Sequence, residues 1–344
     1  MPAGGRGARS SETTAGGPGA GDEMQRYVIR RLVQMVPILL GISIVVFALL
    51  AAAPGDQVDL LISGVPGLTP ADVIRLKHVY GLDEPPHVRY VKWLERAAQG
   101  DFGWSRTYRE PVSTLILDRL GNTVSLAAGA LVLALAVAVP VGIYSALHQY
   151  SALDYAATLF TFFGVSVPVF WFGIMLIYLF GVNWHLLPPG GINSPGVTPG
   201  LPLVADRLKY LPLPTLALGL VFMASFTRYT RSSMLEVVRQ DFVRTARAKG
   251  LPGRVVIRRH ALRNALIPLV TVLGVAVPGI LAGAPLTETV FSWPGVGKLL
   301  VDSTLGADYA VAQGIIMFIA VMAIGANLLV DIAYGILDPR IRFD

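Results

Sequence analysis

Long apolar stretches without a charged residue recur along most of the chain and are separated by shorter polar segments. A helix needs about 20 apolar residues to cross the roughly 30 Å hydrocarbon core of a bilayer. Six stretches reach or approach that length, so the pattern predicts an all-α polytopic membrane protein with six transmembrane helices. Pro140, Pro168 and Pro278 fall inside the predicted helices, where we expect kinks. The predicted spans are Leu32–Ala53, Asn122–Leu147, Tyr155–Val182, Tyr210–Thr227, Ala265–Thr287 and Tyr309–Val330.

The segment before the first span, residues 1–23, is rich in Gly, Ala, Ser and Thr and has no apolar period, which predicts a disordered tail. The basic residues before Leu32 and the small residues that end at Ala53 also fit a signal peptide. However, the apolar run is longer than the core of such peptides, and Pro54 would follow the cut. Residues 24–53 are therefore predicted to be a retained first transmembrane helix.

Residues 54–121 separate the first two spans and contain two amphipathic stretches, which are divided by Gly81 and Pro85. Because glycine and proline end helices, we predict two or three short helices here, which together form a small extracytoplasmic subdomain. The remaining residues, 122–344, are predicted to form a transmembrane core of five helices.

The basic residues are concentrated between the fourth and fifth spans, and their position predicts the orientation of the chain. The loop Arg228–Arg263 has ten Lys and Arg residues against Glu236 and Asp241, a net charge of +8. The short loops 183–209 and 288–308 have three basic residues between them. By the positive-inside rule, the loop 228–263 and both termini are cytoplasmic. Much of the chain's net charge of +6 lies in this loop, a distribution that does not favour binding to nucleic acid.

The residue types that usually carry catalysis or metal binding are absent from the predicted spans. The chain is 53% hydrophobic and 15% charged, its five histidines lie between the spans, and it has no cysteine. Ser292–Leu299 resembles a phosphate loop but lacks the first Gly and the final Ser or Thr of that motif. We therefore predict no catalytic residue, metal or cofactor bound by this chain. Because ion-coupled carriers place charged residues at membrane depth, energy supplied by another polypeptide is favoured over a carrier, a channel or a membrane-embedded enzyme.

The cytoplasmic loop has the pattern of two short helices joined by a corner. Apolar residues spaced by three or four predict a helix over Met234–Lys249, residues 250–253 (Gly-Leu-Pro-Gly) end it, and Arg254–Leu262 can form the second helix. From the residues alone, such a protrusion either docks on a partner or fixes the topology and attracts anionic lipid.

This loop resembles the "EAA" loop of ABC importer permeases, whose pattern is Glu-Ala-Ala-x-x-x-Gly. Residues 244–250 of this chain read Arg-Thr-Ala-Arg-Ala-Lys-Gly, which keeps the second Ala and the Gly. The stretches "RTARAKGL" and "HALRNALIP" are similar to the peptide-transporter branch, as are "GDFGWS", "LPPGG", "LPTLALGL" and "ETVFSWPGVGKLL". With the long first external loop, the chain resembles the first permease subunit of dipeptide and oligopeptide ABC transporters.

The resemblance implies the type I ABC importer permease fold and a subunit of an ATP-driven peptide importer in the bacterial cytoplasmic membrane. It implies a paralogous permease as partner, two ATP-binding subunits or one fused ATPase that hold ATP and Mg, and an extracytoplasmic substrate-binding protein. Related permeases import nickel, haem or other ligands, so the transported ligand stays open. The residues implied to couple this chain to the ATPase are Arg244, Thr245, Ala246, Arg247, Ala248, Lys249, Gly250 and Leu251.

A second candidate site follows the fifth span. Glu288, Phe291, Trp293 and Pro294 belong to the stretch "ETVFSWPG", in which the Trp-Pro-Gly sequence predicts a tight turn. One interpretation is an external gate or a contact for the binding protein. The other is an interfacial turn in which Trp293 anchors the chain at the level of the lipid headgroups.

Overall fold

The computed structural model describes residues 20–52, 69–79 and 83–337. This part of the chain folds into helices and turns, with one isolated β-bridge between Trp104 and Pro111. The α-helices are α1 (Ala20–Ala51), α2 (Pro70–Val79), α3 (Pro86–Ala98), α4 (Val112–Leu147), α5 (Ala152–Ser166), α6 (Val169–Leu176), α7 (Leu201–Tyr210), α8 (Pro212–Val238), α9 (Asp241–Ala248), α10 (Gly253–Val255), α11 (Leu262–Ala265), α12 (Ile267–Val290), α13 (Val296–Leu305) and α14 (Tyr309–Leu337). A π-helical segment, Ile177–Asn183, continues α6, and a second one, Val256–Ala261, joins α10 to α11.

Six segments of the described chain are long and apolar enough to cross a membrane when each bent pair of helices is counted as one span. Three are single helices: Tyr27–Ala51 within α1, the whole of α4, and Tyr309–Leu329 within α14. The other three are the bent pairs α5 with α6, α7 with α8, and Gly253–Gly274 with Ala276–Val290. The structure confirms the all-α polytopic fold, and the bent pairs bring the number of spans to the six that the apolar pattern predicts.

The third predicted span is broken rather than continuous. Between Ser166 and Val169 the helix axis turns by 108°. Val167 is extended, with ψ 128°, and Pro168 precedes the first residue of α6. Proline disfavours the helical conformation in the residue before it and offers no backbone N–H to the turn before it. The prediction that Pro168 lies inside a helix was therefore wrong, whereas Pro140 lies inside α4 as expected.

The second span begins earlier than the apolar pattern predicts. Helix α4 starts at Val112, directly after Pro111, so the last ten residues of the segment 54–121 belong to it. At 36 residues this helix is about 54 Å long, which exceeds the thickness of the hydrocarbon core. Its first turns therefore extend beyond the membrane.

The predicted tail and the predicted subdomain lie partly outside the described residues. Residues 1–19 and 53–68 are not described. Helix α1 begins at Ala20, so residues 20–23 are helical rather than part of a disordered tail.

Helix α3 packs against the C-terminal part of α1. Tyr90 on α3 shares a hydrogen bond of 2.8 Å between its hydroxyl and that of Ser43, which is fully buried. The ring of Phe47 lies 5.4 Å from the ring of Tyr90 and 6.5 Å from that of Trp93, measured between centroids. These contacts attach the segment after the first span to the membrane helices.

Helices α4 and α8 pack along each other at close range and form the centre of the fold. A Cβ atom at Gly142 on α4 would lie 2.7 Å from Cβ of Thr230 and 2.9 Å from the carbonyl oxygen of Thr227. Gly164 on α5 makes a similar approach to α8, where a Cβ atom would lie 2.7 Å from that of Ala224. Small residues permit this separation, as they do in other membrane helix pairs.

At the cytoplasmic end predicted from the basic loop, the helices share a hydrophobic cluster, called here the inner cluster. It joins the ends of α4 and α8, helix α9, the π-helical segment Val256–Ala261 and α11. Because these elements share one packed core, they are expected to move together rather than independently. The buried members are Ala146, Met234, Val237, Val243, Ala246, Val256, Ala261 and Ala265.

Candidate functional site: the elbow and its support

The segment Arg239–Gly253, called here the elbow, joins α8 to α10 and contains the predicted coupling residues. The predicted single helix over Met234–Lys249 is instead two helices. Helix α8 ends at Val238, Gln240 is extended with ψ 153°, and α9 begins at Asp241. The apolar spacing continues across this break, which is why it predicted one helix.

The corner of the elbow lies at the predicted place. Helix α9 ends at Ala248, and its chain reverses at Gly250, whose φ of 74° is in the left-handed region that favours glycine. The N–H of Gly250 donates to the carbonyl oxygen of Arg247 at 2.9 Å. Pro252 then precedes α10. No atom of the described chain lies within 4 Å of a Cβ atom built at Gly250, so the corner projects into open space.

Helix α9 has one face toward its own chain and one toward solvent. Val243 and Ala246 are buried in the inner cluster, at 0% and 6% exposure. The structure thus places Ala246 against this chain's own helices, where its small side chain permits close packing. The other predicted coupling residues are exposed: Arg244, Thr245, Arg247, Ala248, Lys249, Gly250 and Leu251.

The solvent face of the elbow combines positive charge with apolar side chains. Phe242, Leu251 and Val255 are each 37–38% exposed and lie beside the arginines of α9 and α10. Arg244 makes an exposed ion pair of 3.4 Å with Asp241, which reduces the positive charge only at that point. An exposed surface of this composition suits a partner with apolar pockets and an acidic rim. Sequence reasoning did not single out Phe242 and Val255.

A largely buried ion pair, called here the clamp, joins Asp154 on α5 to Arg231 on α8. Arg231 donates from Nε to Oδ1 of Asp154 at 2.7 Å and from Nη2 to Oδ2 at 2.9 Å. The hydroxyl of Ser145 on α4 also donates to Oδ1, and the backbone N–H of Tyr150 donates to Oδ2 at 3.0 Å. The carboxylate is therefore fully hydrogen-bonded, and three helices meet at it.

The clamp adjoins the inner cluster. Ser145 precedes Ala146, and Arg231 lies one turn before Met234; both neighbours are cluster members. The inner cluster thus connects the elbow to α4 and α8, and the clamp connects these helices to α5. Sequence reasoning missed this pair because each partner lies just outside a predicted span and the two are 77 positions apart.

The segment after the fifth span is packed inside the protein. Glu288 is fully buried, and its carboxylate accepts hydrogen bonds from the hydroxyl of Thr123 at 2.7 Å and from the backbone N–H of Lys298 at 2.8 Å. The second donor belongs to the first turn of α13, where the helix dipole favours a negative charge. Glu288 thus joins α12, α13 and α4.

The other predicted gate residues are placed in the same internal junction. Phe291 and Trp293 are each 1% exposed, and the indole N–H of Trp293 donates to the carbonyl oxygen of Asn122 at 2.9 Å. The side chain of Asn122 in turn donates to the carbonyl oxygen of Pro294, which is half-buried, at 2.8 Å. Trp293 is therefore not a headgroup anchor, and three of the four predicted contact residues offer no exposed side chain to a binding protein.

The described residues contain no group of three or more His, Asp or Glu side chains that could hold a metal ion. Six spans, joined internally by the clamp and by the hydrogen bonds of Glu288, with a basic elbow projecting from them, place the chain in the class of polytopic membrane proteins.

Two family models match the chain. The model of the binding-protein-dependent transport system inner membrane component matches residues 138–343, and that of the N-terminal part of such membrane components matches residues 24–127. The chain belongs to the binding-protein-dependent transport system inner membrane component family.

Named relatives cover almost the whole chain. The oligopeptide transport system permease protein AppB of Bacillus subtilis is 43% identical over 321 residues, which is 93% of this chain and all of the relative. The dipeptide transport system permease protein DppB of Escherichia coli K12 is 40% identical, with 93% of this chain and 99% of the relative covered. The di/tripeptide permease protein DppB of Pseudomonas aeruginosa is 39% identical at the same coverage. The resemblance inferred from the motifs is confirmed.

A solved structure shares the fold. The inward-facing MetNI methionine ABC transporter matches with a TM-score of 0.51 and 13% sequence identity, over 65% of this chain and 96% of that chain. At this identity the likeness bears on the fold alone, and it supports the type I importer permease architecture.

Proposed function

We propose that this chain is the first permease subunit of an ATP-driven importer of dipeptides and oligopeptides. The observation that carries the proposal is the identity of 39–43%, over 93% of the chain, to three permeases named for peptide transport. The alternative ligands, nickel and haem, have no such support among these relatives. A paralogous permease completes the pathway, an extracytoplasmic binding protein delivers the peptide, and two ATPase domains, separate or fused, bind ATP and Mg.

The elbow couples this subunit to an ATPase. Its exposed arginines and apolar side chains dock in a cleft of the ATPase, whose closure on ATP displaces the elbow. The inner cluster and the clamp carry that displacement into α4, α5 and α8, and the helices rock between outward-open and inward-open arrangements. The chain itself contributes movement and a pathway, while the ATPase performs the hydrolysis.

Replacing Gly250 by arginine tests the docking role of the corner. The side chain has room within this chain, but it enters the space that a docked partner occupies, and a non-glycine residue at φ 74° costs about 1–2 kcal/mol. Loss of one central contact of a protein interface weakens association by about tenfold or more. We expect co-purification of the ATPase and peptide-stimulated ATP hydrolysis to fall together in Gly250→Arg, while the amount of permease in the membrane stays near that of the wild type.

A matched control is available on the opposite side of the membrane. Gly196 has a φ of 79° and equally open surroundings, so Gly196→Arg imposes the same backbone cost far from the elbow. This variant should keep normal ATPase association. Normal assembly and normal stimulated hydrolysis in Gly250→Arg would show that the elbow is not the coupling element.

The proposed orientation places both termini and the elbow in the cytoplasm. Because the chain has no native cysteine, single cysteines can be labelled without background. His87→Cys on α3 and Ala248→Cys on α9 both carry exposed side chains. An impermeant thiol reagent should label His87→Cys in intact cells or spheroplasts and should label Ala248→Cys after permeabilisation alone; the reverse pattern would refute the orientation.

A further inference from the structure

A cleft of about 320 Å³ opens between α5 and α8, directly beside the clamp. Its lining combines two arginines and several hydroxyl groups with the apolar side chains of Ala157, Phe162 and Leu235. The polar residues are Thr158, Thr161, Thr227, Arg228, Arg231 and Ser232. Arg228 and Arg231 follow the end of the fourth predicted span, where charged side chains face water, lipid headgroups or protein rather than hydrocarbon. The cleft therefore lies at the boundary of the membrane, where it can be reached from water.

The cleft presents an arginine that is already held in place. A guanidinium has five N–H donors, and the clamp engages the Nε and Nη2 groups of Arg231. Its Nη1 group makes no hydrogen bond to the described part of the chain, and the side chain is 31% exposed. Because the clamp fixes the guanidinium, a ligand that accepts from Nη1 does not have to order this long side chain on binding.

A second cation lies one turn earlier on the same face of α8. Arg228 is exposed, and its guanidinium lies 5.7 Å from the ring centre of Tyr229. No acidic side chain of the described residues forms an ion pair with it. Asp154 neutralises Arg231, so Arg228 leaves the cleft with a net positive charge. This charge attracts an anionic group.

The hydroxyl groups suit the rest of a peptide. Thr158 donates its hydroxyl proton to the carbonyl oxygen of Asp154 at 2.8 Å, and Thr161 donates to that of Thr158 at 2.7 Å. Their oxygens are consequently available as acceptors for N–H donors. A peptide with a free carboxylate has both features, an anionic end for the arginines and amide or ammonium N–H groups for the threonines.

We propose that this cleft is a binding site for the C-terminal carboxylate of a peptide on its way to the cytoplasm, held by Arg228 and the free side of Arg231. The assignment rests on the proposed peptide-importing function and adds a substrate site to it. The volume lies at the lower end of the roughly 300–1,000 Å³ range of small-molecule pockets, which suits the end of a peptide rather than a whole oligopeptide.

The charge of the cleft can be measured with a single cysteine in the assembled transporter. Ser232→Cys is nearly isosteric and places the thiol in the lining, and cysteine-free partner subunits remove the background. In inside-out vesicles, the rate of an anionic methanethiosulfonate reagent and that of a cationic reagent of similar size are each divided by the same reagent's rate with a small free thiol. The normalised rate should be at least about fivefold higher for the anionic reagent, since a single nearby charge attracts one and repels the other. Arg228→Gln in the same background should bring the two normalised rates close together. Arg239→Gln, which removes an exposed arginine from the same helix end outside the cleft, should leave the ratio unchanged.

The ligand is tested by protection of the same cysteine. Dialanine, which has a free carboxylate, should slow labelling of Ser232→Cys during ATP turnover, whereas dialanine amide should not, and Arg228→Gln should abolish the difference. No labelling in the vesicles would mean that lipid or the partner permease covers the cleft, and equal rates or equal protection would mean that it has no anion site; each result overturns the proposal. Uptake of dialanine by the wild-type transporter is measured in parallel, because its absence would refute the peptide-importing function, whereas uptake without protection refutes the cleft site alone.

Discussion

Replacing Asp154 by alanine is expected to destabilise the subunit by about 1–3 kcal/mol, because it removes the counterion and the hydrogen-bond acceptors of Arg231. In the clamp, the side chain of Asp154 is 5% exposed and that of Arg231 is 31% exposed, so water in the cleft reduces the loss below the roughly 3–5 kcal/mol of a fully buried pair. The hydroxyl of Ser145 and the N–H of Tyr150 lose their acceptor as well. The measurement is the unfolding midpoint of the purified transporter in detergent, together with the amount of subunit in the membrane.

The exposed pair on α9 provides the control for this prediction. Asp241 and Arg244 are 91% and 79% exposed and 3.4 Å apart, and exposed ion pairs contribute little to stability. Asp241→Ala should therefore leave the unfolding midpoint near that of the wild type. The double variant Asp154→Ala with Arg231→Ala should be more stable than Asp154→Ala alone, because no charge is left unpaired. If the single and double variants are equally stable, the clamp does not act as an ion pair.

Replacing Gly295 by valine is expected to prevent the end of α12 from packing against the start of α13. A Cβ atom at this position would lie 2.2 Å from Oε1 of Glu288, which is far inside van der Waals contact. The φ of Gly295 is −101°, a conformation that other residues adopt, so the cost comes from packing alone. Expelling the carboxylate breaks its hydrogen bonds to Thr123 and Lys298, each contributing about 1.5–3 kcal/mol. The amount of folded subunit and peptide uptake should both fall severely.

A second substitution tests whether the effect comes from the clash with Glu288 or from replacing a glycine as such. Glu288→Ala removes the side chain that Gly295→Val displaces, so the double variant should recover part of the folded protein. Gly121 on α4 has no atom within 4 Å of a built Cβ, and Gly121→Val should be tolerated. A Gly295→Val subunit with normal abundance and normal uptake would contradict the described junction.

The apolar pattern predicted the number and approximate position of the spans because burial in a membrane depends on the length and composition of a segment. The same pattern carries no information about changes in the direction of the helix axis within a span. It could not show that the span over Tyr155–Val182 turns by 108° next to Pro168, and it placed the start of α4 at Asn122 because the preceding turns are more polar.

The candidate site was predicted in part. The glycine corner of the elbow follows from local chemistry, and Gly250 has the positive φ that such a corner requires. Whether Ala246 points outward or inward depends on how α9 packs against α8, which spacing along one helix does not determine. The clamp and the hydrogen bonds of Glu288 connect residues that are distant in sequence, so they become visible only once the helices are placed.

The two faces of α9 would allow this subunit to exchange partners without refolding. On the proposed coupling role, the exposed residues Arg244, Arg247 and Leu251 determine which ATPase the subunit binds. Val243 and Ala246, in contrast, are buried in the packing of the subunit itself. A chimera designed to bind the ATPase of another transporter would need the exposed residues of that transporter's permease and the buried residues of this chain. Over evolution, the outward residues would vary in concert with the gene of the ATPase, and the inward ones with α4 and α8.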